Sequence, residues 1–256
     1  MPTRAQILRD PLALGRRELR FPNDGVIGAS SVSDPTELLT GATLWYEPSG
    51  LSASAWDSIG TNTLQFNDGG NATRRPTIST IGSVDTADFD GATDYFTSAS
   101  TFQIVAPFVL AVVLRVDAVT ANAYVLDFSA GGAAGRLRQG PGTNDLQWGV
   151  PGGNLIGGTV GPGVWKQLIV VGTSSLSGVT HKLYENGALI DDNPSTSGGY
   201  FATSCVIGGR VGGSQLSNVT VADFAIWNSV GDENPDVSGV IDWQDDVVSR
   251  LGVTPS

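Results

Sequence analysis

Residues 108–116 read Phe-Val-Leu-Ala-Val-Val-Leu-Arg-Val, apolar at every position except Arg115. Successive side chains of a strand point to opposite faces. A strand apolar at both odd and even positions must be covered on both sides, as in the middle of a sheet. The run is also far too short to span a bilayer as a helix. A chain containing it needs a sheet with two buried faces.

The rest of the sequence supplies strands for such a sheet. Short apolar or aromatic runs at residues 43–46, 87–89, 95–97, 123–128, 165–171, 180–184, 206–209 and 219–227 are separated by turn signals. Asn186-Gly187 is a two-residue hairpin signal, because both residue types tolerate φ > 0. Gly140-Pro141-Gly142 sits between residues 136–138 and 145–150, which read as a second hairpin. Asp90-Gly91 marks a tight turn, and residues 56–60 and 67–70 are rich in turn formers. Gly at 34 and Pro at 13 with only 15% charged residues suit many short strands joined by tight turns. The Gly-rich stretches 131–142 and 151–163 read as loops at one end of a sandwich.

Both ends of the chain depart from this pattern. Residues 236–251 place Val240, Trp243, Val247 and Leu251 at helical spacing, with Pro235 and Asp236 at the start and Gly252 at the stop. Residues 1–40 hold no apolar pattern able to build a core. Residues 3–8 and 12–20 could each make a short helix, Phe21-Pro22-Asn23-Asp24-Gly25 reads as a turn, and 30–36 as a polar linker. The expected organisation is an N-terminal arm, 1–40, ahead of one all-β antiparallel two-sheet sandwich with a C-terminal helix, 41–256.

The formal net charge is −11, which argues against a nucleic-acid-binding body. Charge is uneven, however. Arg4, Arg9, Arg16, Arg17 and Arg20 face only Asp10 and Glu18 within the first 21 residues. A basic arm on an acidic body points to docking on a partner's acidic surface, so these arginines are the candidate anchoring residues. The apolar run at the N-terminus is broken by Arg9, Asp10 and Pro11, so it is not read as a signal peptide. No membrane association is expected. Cys205 is the single cysteine, which excludes an internal disulfide, and its neighbours Val206 and Ile207 place it on a buried strand.

Catalytic chemistry finds little support. His181 is the single histidine and lies inside an expected strand, so a Ser–His–Asp or Cys–His site is not expected and a multi-histidine metal site is excluded by count. Glycoside hydrolysis needs two facing carboxylates. The glutamates Glu18, Glu37, Glu47, Glu185 and Glu233 form no alternating pair. Asp85, Asp88 and Asp90, like Asp242, Asp245 and Asp246, read as turn or helix-surface residues. Calcium is the one cofactor the sequence leaves open, with Asp191, Asp192 and Asn193 as candidate ligands and Asn67, Asp68 and Asn71 as a second set. All of these also suit ordinary turns. Of six tryptophans, Trp165, Trp227 and Trp243 read as core. Trp148, beside a Gly-rich loop, is the candidate for an exposed sugar-stacking ring, with Tyr200 and Phe201.

Several motifs in order resemble a concanavalin A-like, laminin-G-like jelly roll. They are Trp56-Asp57-Ser58-Ile59-Gly60, Arg75-Pro76-Thr77, Phe89-Asp90-Gly91 through Phe96, Trp165-Lys166-Gln167-Leu168, Tyr184-Glu185-Asn186-Gly187, Ile207-Gly208-Gly209 and Asp223-Phe224-Ala225-Ile226-Trp227-Asn228. The resemblance covers about residues 41–254. It implies a module of the kind found in lectins, glycosidases, adhesion proteins and structural proteins of bacteriophage particles. With the basic arm, it implies a non-catalytic virion accessory protein, such as a capsid decoration, head-fibre or tail component. Such a protein is assembled in the host cytoplasm, joined to other virion structural proteins through the arm, and displays a sandwich toward host-surface glycan. Homo-oligomerisation, for example as a trimer, is implied too, though no residue pattern marks it. The alternatives are a free carbohydrate-binding lectin and an atypical glycoside hydrolase.

Overall fold

The computed structural model describes residues 19–21, 25–27, 42–47, 50–52, 54–62, 64–128, 135–142, 144–150, 153–173, 179–195, 199–202, 205–210, 212–228 and 237–255. For 19–21, 25–27, 194–195 and 199–202 the description is of backbone only. In chain order the strands are β1 (Leu19–Phe21), β2 (Gly25–Ile27), β3 (Leu44–Tyr46), β4 (Ala55–Asp57), β5 (Gln65–Asn67), β6 (Thr77–Ile81) and β7 (Val84–Asp90). Then come β8 (Phe96–Ser98), β9 (Phe102–Val105), β10 (Phe108–Ala118), β11 (Tyr124–Asp127), β12 (Arg136–Gln139), β13 (Asp145–Val150) and β14 (Gly153–Thr159). The last are β15 (Val164–Gly172), β16 (Val179–Glu185), β17 (Ala188–Ser195), β18 (Gly199–Ala202), β19 (Val206–Ile207) and β20 (Asn218–Trp227), followed by the helix α1 (Ser238–Leu251).

Two antiparallel sheets face each other. The first runs β17-β16-β15-β10-β20-β7-β6, with β3 against the far half of β20. The second runs β14-β13-β12-β11-β19-β8-β5-β4. β10 lies at the centre of the first sheet, between β15 and β20, as its two-faced apolarity requires. Leu110, Val112, Leu114 and Val116 point between the sheets, while Val109, Ala111 and Val113 point outward. The outward set is apolar because α1 covers it. Trp243 meets Trp227 edge-on with ring centroids 6.2 Å apart. Gln244, fully buried, donates from Nε2 to the carbonyls of Val112 (3.1 Å) and Leu168 (3.0 Å), anchoring the helix to the sheet backbone. Gly252 ends the helix in the left-handed conformation (φ 69°), where an L side chain is strained. α1 is too short to cross a membrane.

The hairpin of β16 and β17 turns at Asn186 (φ 49°) and Gly187 (φ 78°), as the dipeptide predicts. Hairpin β12–β13 also forms. Cys205 is fully buried, and burial pushes its thiol up to about 12.

The Asp90-Gly91 turn forms as expected and carries the chain from β7 in the first sheet to β8 in the second. Three expectations need correction. Residues 19 and 20 are strand, not helix, because Leu19–Phe21 pairs with Gly25–Ile27. The 151–163 stretch is not all loop, since Gly153–Thr159 forms edge strand β14 along β13. Asp191, Asp192 and Asn193 are not in a turn; they pair in register with Leu183, Lys182 and His181 on β16. The expected helix at 3–8, the linker at 30–36 and the Pro235-Asp236 start lie outside the described residues.

Candidate functional site

α1 covers only part of the first sheet's outer face. Beyond it, strand register aligns polar side chains across four strands. Thr77 on β6 pairs with Asp88 on β7, Asp88 with Thr220 on β20, and Thr220 with Arg115 on β10. Two pairs further along, on the same face, Asp90 faces Asn218. The alternation on β7 explains this row: Ala87 and Phe89 enter the core while Asp88 and Asp90 point away from it. Together Thr77, Asp88, Asp90, Asp94, Arg115, Asp117 and Asn218 line a cleft of about 370 Å³.

Several of the lining groups are held by specific contacts. Arg115 Nε donates to Asp117 Oδ1 (2.5 Å) and its Nη2 to Thr220 Oγ1 (3.0 Å), while Thr220 Oγ1 donates to Asp117 Oδ2 (2.6 Å). Arg115 also lies over the Trp165 ring, 5.4 Å from its centroid. Asp117 reaches this triad because the β10–β20 register slips between Val116 and Ala118. Asp90 Oδ1 accepts from the backbone N–H groups of Ala92, Thr93 and Asp94 at 2.8, 2.8 and 3.0 Å. That carboxylate shapes the crossing turn. Gly91 is needed there, since it sits at φ 71° and a Cβ would come within 2.9 Å of Asn218.

The carboxyls are electrostatically unequal. Burial raises Asp88, and the charge of Asp117 adds to this, with Arg115 opposing. Burial and the nearby Asp90 charge raise Asp94. Burial would also raise Asp90, but its backbone hydrogen bonds outweigh it and hold it below the usual carboxylate range. The cleft therefore offers strong acceptors, a fixed guanidinium, a hydroxyl and an amide on rigid strands.

The residues singled out from sequence do not gather here. Trp148 is fully buried. It sits on β13 between Leu137 of β12 and Leu155 of β14, so its ring packs in the core and presents no face to a sugar. The alternation of Leu146, Trp148 and Val150 carried that signal. Tyr200 and Phe201 lie on β18, opposite Ile104 and Gln103 of β9; their side chains are outside the description. Asp191 and Asn193 share one strand face and Asp192 takes the other, so the three do not converge on one cation. Asp191 instead accepts the Ile156 N–H at 2.8 Å. Among the described residues no cluster of His, Cys, Asp and Glu has the form of a metal site. Arg20 lies on β1; Arg4, Arg9, Arg16 and Arg17 lie outside the described residues. His181 is fully buried, and burial pushes it down to about 4, so neither it nor Cys205 is open to a substrate.

No protein-family model matches the chain, and no curated protein matches it. Solved structures do. A botulinum neurotoxin type G receptor-binding domain aligns with TM-score 0.57 and 12% identity over 80% of this chain and 51% of that one. A botulinum neurotoxin type C structure, described for its interaction with two ganglioside molecules, aligns with TM-score 0.52 and 10% identity over 84% and 53%. The Trypanosoma rangeli sialidase gives TM-score 0.52 and 11% identity over 82% and 33%. At such identities the likeness establishes a shared β-sandwich fold. The chain spans about half the length of the toxin domains and a third of the sialidase.

Proposed function

We propose that this chain is a non-catalytic glycan-binding sandwich, carried on a virion by its basic N-terminal arm. The cleft on the outer face of the first sheet is the observation that carries the binding half. Its volume falls within the ordinary range for small-ligand sites, and aligned carboxylate, guanidinium, amide and hydroxyl groups suit the paired hydroxyls of a sugar. The fold it shares with a toxin structure known for ganglioside interaction supports the same reading. The virion half rests on the charge contrast between arm and body and on the jelly-roll resemblance.

A glycan array probed with the full chain, with and without a chelator, tests the binding half. Expected is binding that Asp88→Ala and Asn218→Ala each abolish. Binding to no glycan, or binding indifferent to both changes, overturns it. Replacing Arg4, Arg9, Arg16, Arg17 and Arg20 with Gln tests the anchoring half; normal incorporation into particles would refute it.

A second reading, glycoside hydrolysis, is favoured by the unequal carboxyls, Asp88 and Asp94 raised beside a depressed Asp90. Turnover of a polysaccharide panel, lost in Asp88→Asn, would select it over binding alone.

A further inference from the structure

Along their strand orders the two sheets end in four edge strands, β17 and β6 in the first and β14 and β4 in the second, while β3, which lies off that order, is covered on its outer side by the Ile59 N–H donating to the Trp45 carbonyl (2.8 Å). An edge strand offers unpaired backbone groups to any other strand unless something blocks it. Three of the four are blocked. The N–H groups of Ile156 and Gly158 on β14 donate to carboxylates of the other sheet, Asp191 Oδ2 (2.8 Å) and Glu185 Oε2 (2.7 Å). β17 carries Asp191, Asp192 and Pro194, and charge and proline both oppose pairing. β4 is three residues long, with Leu51 bridged to Trp56 and the Ser52 N–H bonded to Ala55 O beside it.

β6 differs. Its sequence, Thr-Ile-Ser-Thr-Ile, has high strand propensity, no charge and no proline. Its polar side chains turn back to β7: Thr80 Oγ1 donates to Asp85 (2.7 Å), and the hydroxyls of Ser79 and Thr86 lie 3.0 Å apart. Among the described residues, no backbone group beyond β7 hydrogen-bonds to it. Ile78 is 43% exposed.

We infer that β6 is a self-association edge, where two copies of this chain pair antiparallel across a two-fold axis at Ser79. The pairing sets Ile78 opposite Thr80 and Thr77 opposite Ile81 of the second copy, and joins the two first sheets into one. A second copy fits because the strand is complementary to itself and brings no charge against charge. In a chain of net charge −11, an edge such as β17 would oppose aspartates. Five residues span only about 17 Å of edge, less contact than the roughly 1,200 Å² of a stable interface, so the dimer is reversible. This inference stands apart from the glycan reading.

Sedimentation velocity of the full chain from about 5 µM to about 500 µM tests it. A monomer–dimer equilibrium is expected. Ile78→Lys should weaken it at least about tenfold by placing a charge on the edge, with circular dichroism and melting temperature showing that the fold is intact. Ile156→Lys, at an exposed apolar position on β14, should leave it unchanged. A wild type that stays monomeric throughout overturns the inference. So does an association that survives Ile78→Lys or is lost in Ile156→Lys.

Discussion

Replacing His181 with Leu should flatten the acid limb of the stability curve. His181 lies fully buried on β16, its ring 6.1 Å from that of Phe108. Burial holds it down to about 4, against an ordinary 6.5. The folded chain therefore keeps it neutral where the unfolded chain protonates it. Its contribution is full above pH 6.5 and is lost as pH falls toward 4. At about 1.4 kcal/mol per pH unit, roughly 3 kcal/mol disappears across that window. The leucine substitution carries its own packing cost, about 1 kcal/mol, but that cost is the same at every pH. Urea unfolding of both proteins between pH 4 and pH 7.5 measures the effect. The quantity that decides is the wild-type minus variant difference, because every other titrating group cancels from it. A difference that stays constant through this range refutes the account of His181 as a proton-excluding core residue.

Other perturbations probe the same sandwich. Lys166 Nζ donates to Glu185 Oε1 at 2.6 Å within a buried pair, so Lys166→Met should cost about 3–5 kcal/mol by stranding the carboxylate, and Lys166→Met/Glu185→Leu markedly less; denaturant melts of the three proteins check this. Burial raises Asp223 well above the carboxylate range, with the Trp45 Nε1 hydrogen bond opposing. Its penalty therefore grows as pH rises from its unfolded value, and Asp223→Asn should gain stability over wild type between pH 5 and pH 8, read from melting temperatures. Gly252→Ala should cost about 1–2 kcal/mol, since the left-handed conformation is strained for alanine although no atom lies within 4 Å of the new Cβ; thermal unfolding measures it.

Legibility from sequence followed the distance over which the forces act. Asn186-Gly187, the stripe Val240–Trp243–Val247–Leu251 and the two-faced run of β10 are local signals, and each gave its element correctly. Trp148 was misread because its glycine neighbours outweighed the alternation Leu146–Trp148–Val150, which pointed inward. β14 was misread for a related reason. Gly157 and Gly158 look like loop residues, yet they are strand residues packed so closely on the facing sheet that a Cβ on either would come within 3 Å of the Glu185 carboxylate and displace it. That carboxylate is close only because two sheets meet there, and Glu185 lies far from β14 in sequence.

The cleft shows the same limit in its sharpest form. Asp88 and Asp90 alternate with Ala87 and Phe89, so their common face was readable, and reading them as turn residues discarded it. Arg115 was visible as the interruption of an apolar run. What sequence did not contain was their adjacency: β7 and β10 do not pair with each other, and β20, which separates them, lies more than 100 residues further along the chain. Thr220 is the residue that closes the gap, facing Asp88 on one side and Arg115 on the other. A binding surface built across a sheet is therefore set by which strands become neighbours. The side chains are legible one strand at a time, and the site exists only once the strand order is known.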